Sequence, residues 1–231
     1  MKRKFFVIAL LLLVVVSMPV SADMLRVGLV LSIGGLKDES FNDAAYEGVL
    51  QLRREGDCIV EVMEPGTITS IEPALRYFCE RNMDLVCAVG SFANDAVRRV
   101  AQEFPESKFV LLDSVVTVPN VLSILFDEEQ GSFYAGAFAA MMSKSGKVGF
   151  LGGMDSPVIA SFERGYKNGV RFVKPEATVI SRYLGTTPEA FDMPDKAQVL
   201  GMDIAKEGAD IVYHAAGKSG LGLIQASRRG N

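Results

Sequence analysis

The sequence is poor in the residues that enzymes and metal proteins most often use for chemistry. It has no tryptophan and a single histidine, His214, so histidine-based triads and multi-histidine metal sites are nearly excluded from this chain. The three cysteines, Cys58, Cys79 and Cys87, match no zinc spacing, and an odd number leaves at least one thiol unpaired. Cys58 and Cys87 stand in apolar runs that predict small buried core residues. We therefore expect neither a metal nor a cofactor.

The chain opens on a segment that is typical of a secretory signal peptide. Residues 2–4 are basic, Phe5 to Val16 is apolar, and Val20, Ser21 and Ala22 form a small-residue cleavage site. This pattern predicts a leader over residues 1–22 and an exported protein, in the periplasm or at the outer face of the cytoplasmic membrane. The alternative is an uncleaved membrane anchor, although the apolar run is shorter than the roughly 20 residues that a span needs.

The charge balance argues against two classes of partner. Removing the three basic residues of the leader lowers the 24 lysines and arginines to 21, against 28 aspartates and glutamates, so the formal net charge moves from −4 to −7. Nucleic acid and anionic lipid both require a basic surface. We therefore expect no nucleic-acid partner.

Short apolar runs alternate with helical patterns in two successive series, which predicts an α/β fold with two parallel-sheet lobes. The polar step "FDEEQGS", Phe126 to Ser132, is the expected hinge, so the lobes are assigned to residues 23–126 and 127–231. Predicted helices include Phe41 to Glu55 and Gln130 to Ser143. The second series has three strand-like runs against five in the first, which predicts an incomplete second lobe and a truncated chain.

Polar and aromatic residues follow several of the predicted strands. In a parallel sheet these strand ends lie on one edge, so two lobes would present them to each other across a cleft. Asp38 is expected either to cap the first helix or to bind a ligand, and His214 is more plausibly a satisfied strand-end histidine than a ligand contact. Asp113 is costly to bury alone, so a hydrogen-bond donor is expected beside it. The residues after the first, third and fourth strands are Asp38, Phe41, Asn42, Ser91, Phe92 and Asp113.

Three separated motifs carry a resemblance. With "DESFNDAAYEG", "GKVGFLGGMDSPVIASFERGYKNGVR" and "GADIVYHAAGKSGLG", the sequence resembles the basic membrane protein family. These are exported substrate-binding proteins of ABC transporters, and they include purine nucleoside receptor lipoproteins of spirochaetes. The resemblance implies a type 1 periplasmic binding protein fold and a monomer without enzymatic activity. It also implies that nucleosides bind between the lobes and pass to a membrane permease.

The same resemblance implies roles for individual residues. Phe41 would stack on the base, Asn42 and Asp113 would bond its edge, and Phe191 would close over the other face. Three second-lobe residues would line the sugar side, namely Gly153, Met154 and Gly217.

Two departures from the family and two rival functions stay open. Asp23 occupies the place of the usual lipid-modified cysteine, and the family continues past residue 231 with an aspartate and a lysine that contact the ribose.

One rival function is that of a binding protein for a sugar or a signalling molecule, although the chain has no tryptophan to stack on a sugar. The other is an exported α/β enzyme that processes nucleosides. Such an enzyme would need clustered carboxylates, whereas Asp38 and Asp113 stand apart in the sequence.

Overall fold

Strands and helices alternate through the described part of the chain. The computed structural model describes residues 24–56 and 58–229, and the predicted leader, residues 1–22, lies outside them. The described strands are β1 (Leu25–Val30), β2 (Cys58–Met63), β3 (Leu85–Val89), β4 (Phe109–Leu112), β5 (Val121–Ile124), β6 (Lys147–Met154), β7 (Thr178–Gly185) and β8 (Ile211–Ala215). The described helices are α1 (Phe41–Glu55), α2 (Ile71–Glu80), α3 (Asn94–Glu103), α4 (Glu128–Met142), α5 (Pro157–Val173), α6 (Pro194–Lys206) and α7 (Gly220–Arg229).

These strands form two parallel sheets, as the sequence predicted. The first sheet has the order β2-β1-β3-β4-β5 and the second the order β7-β6-β8. In the second sheet Val148 of β6 stands between Val179 of β7 and Ile211 of β8. In each sheet the chain leaves its first strand to one side and then crosses to the other. This reversal opens a crevice at the carboxyl ends of the strands, where ligands of open α/β sheets bind.

The predicted element bounds agree closely with the structure. Helix α1 covers the predicted residues, whereas α4 begins at Glu128, two residues before the predicted start. The reason is a cap, because the Asp127 side chain accepts a hydrogen bond from the Gln130 N–H at 2.9 Å. Short 3-10 helices such as Pro188–Phe191 were not predicted. Such helices are too short to produce an amphipathic pattern in the sequence, so the sequence does not predict them.

Helices cover both faces of the first sheet. One face packs against α2 and α3 around the fully buried Phe78 and Val97. The other face packs against α1, where Leu29 of β1 meets Val49. Strands enclosed on both faces read as continuous apolar runs, which is why the sequence predicted them. The three cysteines are free and buried, which confirms the place in the core that was predicted for Cys58 and Cys87.

Glycines allow α4 and α5 to pack backbone against backbone. A β-carbon added at Gly169 would overlap the carbonyl oxygen of Phe133, and one added at Gly165 would overlap that of Glu129. From the other side, a β-carbon at Gly136 would overlap the carbonyl oxygen of Tyr166. Because backbone atoms cannot move aside as a flexible side chain can, these positions tolerate no larger residue.

Substitution of Gly169 by alanine tests this contact. We expect Gly169→Ala to lower the free energy of unfolding by about 3 kcal/mol, at the upper end of the usual cost of overpacking, because its methyl group meets main-chain atoms. The control is Gly131→Ala in α4, where a β-carbon has no atom within 4 Å. Removal of a helical glycine there should stabilise the protein by up to about 1 kcal/mol. Urea unfolding measures both values, and equal effects of the two variants would contradict the packing argument.

Candidate ligand-binding site

A cleft of about 810 Å³ lies between the carboxyl edges of the two sheets. Its first-lobe wall comes from the segments that follow β1, β3 and β4. Its second-lobe wall comes from the start of α4 and from the segments that follow β6 and β8. The volume is within the range of small-molecule pockets, which are mostly apolar with a few fixed polar groups.

Most of the predicted site residues meet in this cleft, and two do not. The predicted residues that line it are Asp38, Phe41, Asn42, Ser91, Asp113, Phe191 and Gly217. Gly153 and Met154, expected on the sugar side, are not among its lining residues. Gly153 lies behind the Phe191 ring, and Met154 packs against the buried cluster around Leu151. The ligand contacts of the lining residues stay predictions.

The Asp38 carboxylate caps α1. One of its oxygens accepts the N–H groups of Ser40 and Asp43 at 2.9 and 3.1 Å, and the other accepts that of Asn42 at 2.9 Å. The residue is 3% exposed although it borders the cleft. Of the two roles that the sequence allowed, the geometry favours the cap, because both oxygens already have backbone partners.

Two further carboxylates hold the loop that carries Asp38. Asp43 accepts the N–H groups of Lys37 and Glu39 at 2.8 and 2.9 Å, and Glu64 accepts that of Leu36 at 2.7 Å. Lys37 and Glu39 have φ angles of 65° and 46°, which are costly for residues other than glycine. The carboxylate bonds offset this cost, so the loop presents the first residues of α1 to the cleft in one conformation.

Asn42 has its acceptor atom already engaged. Its Oδ1 accepts the Ser32 N–H at 2.8 Å, while its Nδ2 makes only a long contact of 3.5 Å with the carbonyl oxygen of Ile33. The sequence analysis expected this amide to donate to and accept from a ligand at once. In the structure the donor group, Nδ2, is the part of the amide that can still form a further hydrogen bond.

Two aromatic side chains reach the cleft from opposite lobes, each beside glycines. Gly90, with φ of 86°, brings the end of β3 close to Phe41, and a β-carbon there would lie 3.6 Å from the ring. Phe191 ends a 3-10 helix and packs between Gly153 and Gly217. Its ring also meets Phe92 of the first lobe edge-on, with 6.0 Å between ring centroids. One aromatic contact therefore joins the two walls.

Asp113 has a carboxyl group as its partner rather than the donor that the sequence led us to expect. It follows β4 with φ of 62°, and its N–H donates to the carbonyl oxygen of Ile124 at 2.7 Å. Burial, together with a hydrogen bond and like charge from Glu128 of α4, raises the pKa of Asp113 to about 7. The Asp113 carboxyl group is thus partly protonated near neutral pH.

Sequence reasoning missed some lining residues that belong to helices and to the middle of a strand. Ser132 in α4 lies 3.3 Å, oxygen to oxygen, from the Tyr213 hydroxyl group, and both residues border the cleft. Tyr213 stacks on the buried Tyr166 with ring centroids 5.2 Å apart. The signal that could have found Ser132 is its place in the polar segment Phe126 to Ser132 between the two series of strands.

Comparison with known proteins identifies the family. Residues 25–231 match the model of the PnrA-like ABC transporter substrate-binding proteins. The chain belongs to this family. It is 32% identical over 204 residues to basic membrane protein B of Borreliella burgdorferi, covering 84% of this chain and 59% of that protein. It is 31% identical over 217 residues to the CD4+ T-cell-stimulating antigen of Listeria monocytogenes, covering 87% of this chain and 57% of that protein.

A solved structure agrees with this assignment. An ABC transporter solute-binding protein from Aeropyrum pernix matches with a TM-score of 0.81 and 26% sequence identity, over 89% of this chain and 59% of that one. The predicted family resemblance and the two-lobed α/β fold are thereby confirmed. This PnrA-like chain spans under three fifths of the length of each of these three proteins. Within residues 24–56 and 58–229, no helix is both long and apolar enough to cross a membrane.

The carboxyl pair predicts a specific dependence of stability on pH. The pKa of Asp113, about 7, lies above its ordinary value of 3.8, so between these values the folded protein holds a proton that the unfolded chain has lost. Stability should therefore fall as the pH rises from about 4 to about 7 through this pair. Glu128→Gln should reduce that fall, because burial of Asp113 remains, and should stabilise the protein at pH 7 by at most about 1 kcal/mol, since both side chains are only partly buried.

The measurement is urea unfolding at several pH values between 4 and 8. Glu106→Gln, at an exposed position without a side-chain bond in the described part of the chain, is the control and should leave the pH profile unchanged. Identical profiles for Glu128→Gln and the unchanged protein would contradict an effect of Glu128 on the pKa of Asp113.

Proposed function

We propose that this PnrA-like chain binds nucleosides, with a preference for purines, in the cleft and passes them to the membrane permease of an ABC transporter. The observation that carries the proposal is the presence of Phe41 and Phe191, one from each lobe, in a cleft that also holds amide and carboxyl groups. A planar ring between two aromatic side chains gains stacking energy on both faces. Family membership supplies the transport class, and these residues support the choice of ligand.

The polar groups of the cleft complement the edge of a purine. Asp113, once ionised, can accept a hydrogen bond from a ring N–H, and Asn42 can donate from Nδ2 to a ring oxygen or nitrogen. Enzymes that read a single base use the same combination of stacking and edge hydrogen bonds. A base with both a donor and an acceptor on one edge, such as hypoxanthine or guanine, satisfies both groups.

The cellular setting follows from the sequence and the family. The basic and apolar start of the chain supports export, and the acidic mature segment gives no basic surface for nucleic acid. We infer a protein outside the cytoplasmic membrane that works as a monomer, needs no cofactor, and has a permease as its partner.

A second candidate is an exported nucleoside-processing enzyme, and one observation favours it. Asp113 does not stand alone, because Glu128 lies beside it and contributes to its raised pKa. A carboxyl group with a pKa near 7 is suited to general acid catalysis. Formation of free base and ribose from inosine by the purified protein, followed by chromatography, decides between the two functions. We expect no product beyond the rate without protein.

The stacking role predicts a large effect of one substitution. Phe41→Ala should weaken nucleoside binding by about 5- to 150-fold, because loss of base stacking costs about 1 to 3 kcal/mol. Titration calorimetry with inosine, adenosine and guanosine measures the loss, and ribose tests whether the sugar alone binds.

A matched control removes a phenylalanine far from the cleft. Phe172 in α5 is 77% exposed, so Phe172→Ala should leave the affinity unchanged. Equal affinities of Phe41→Ala and Phe172→Ala would contradict the stacking role. Ribose binding as tight as that of inosine would instead favour a sugar-binding protein.

A further inference from the structure

The second lobe contributes to the cleft a histidine that the proposed function does not use. His214 lies in β8, opposite Leu151 of β6, and it borders the cleft. It is the single histidine of the chain. The sequence analysis favoured a satisfied strand-end histidine, but its Nδ1 atom is enclosed and has no hydrogen-bond partner among the described residues. A buried polar atom without a partner is uncommon and requires an explanation.

The imidazole ring of His214 is held in place by the start of α7. A β-carbon added at Gly220, the first residue of that helix, would overlap three ring atoms, Cε1, Nδ1 and Nε2. Only glycine therefore leaves room for the ring at this position. The packing orients the side chain before any ligand arrives, as a binding group requires.

The position at a helix start also fixes which nitrogen carries the proton. The amino end of α7 has a partial positive charge, which favours a lone pair rather than an N–H group on the enclosed Nδ1. Burial lowers the pKa of His214, so the ring is neutral at pH 7. The proton then resides on Nε2, the ring nitrogen that is not enclosed, in a residue that borders the cleft.

We propose that His214 contacts the ligand and donates a hydrogen bond from Nε2 to an oxygen or ring-nitrogen acceptor on it. The proposal deepens the nucleoside-binding function and rests on it for the choice of probes. It adds a polar contact from the second lobe. The amide and carboxyl groups considered so far, on Asn42 and Asp113, come from the first.

Two substitutions at His214 distinguish the loss of the hydrogen-bond donor from a change in the shape of the side chain. His214→Gln places an amide N–H near the position of Nε2 and should keep inosine affinity within about 3-fold. His214→Leu keeps a similar size without a donor and should weaken affinity by about 10- to 100-fold. The melting temperature of His214→Leu without ligand should stay level or rise, since it removes a buried atom without a partner, and this excludes unfolding as the cause.

The free and bound protein can be distinguished at the ring itself. As the only histidine, His214 gives ring nitrogen signals in nitrogen-15 NMR that need no assignment. We expect the Nε2–H form without ligand and a shift of the Nε2 signal on addition of inosine. A protonated Nδ1, or a signal unmoved by saturating inosine, would overturn the proposal.

The same titrations distinguish a failure of the proposed His214 contact from a failure of the proposed nucleoside-binding function. If the unchanged protein binds nucleosides and His214→Leu binds them equally well, only the role of His214 fails. If the unchanged protein binds ribose but no nucleoside, and His214→Leu weakens that binding, the nucleoside assignment fails while the role of His214 holds. An unchanged protein that binds none of these probes overturns both.

Discussion

Parallel strand pairing is the constraint on which the rest of the molecule depends. Each parallel pair needs a crossover, and the crossovers on either side of β1 and β6 leave the carboxyl ends of all strands at one edge of each sheet. Residues far apart in the sequence, such as Phe41 and Asp113, thus come to border one cleft. The topology of the sheets brings these residues together, and their side chains then determine the chemistry of the cleft.

The two aspartates of the first-lobe wall illustrate how environment separates residues of the same type. Asp38 is more deeply buried, yet three backbone N–H groups surround its carboxylate, so it serves the loop and the helix start. Asp113 faces another carboxyl group, which favours the protonated form. A hydrogen-bond donor beside it would instead favour the ionised form. Asp113 is therefore the aspartate whose interactions a ligand can improve.

The fold could be predicted further than the site. Buried strands and helix ends are each recognised from residues that are close together in the sequence. The bounds of Phe41 to Glu55 were therefore predicted correctly, as were the five strands of the first sheet and the three of the second. The neighbour of Asp113 could not be predicted, because Glu128 is distant in the sequence and comes beside it only in the folded chain. Gly153 and Met154 do not line the cleft, because Phe191 covers Gly153 and Met154 packs against the cluster around Leu151, and these tertiary contacts leave no pattern in the sequence.

The contact between Phe92 and Phe191 bears on how a ligand enters. This edge-on pair joins the two lobes, and such a pair contributes about 0.5 to 1.5 kcal/mol beyond the area that it buries. That is one to three times the thermal energy, so the pair alone cannot hold the cleft shut. Phe191 also packs on Gly217 within its own lobe, and that packing can persist when the lobes part. The position of the Phe191 ring therefore does not depend on the contact with Phe92 alone.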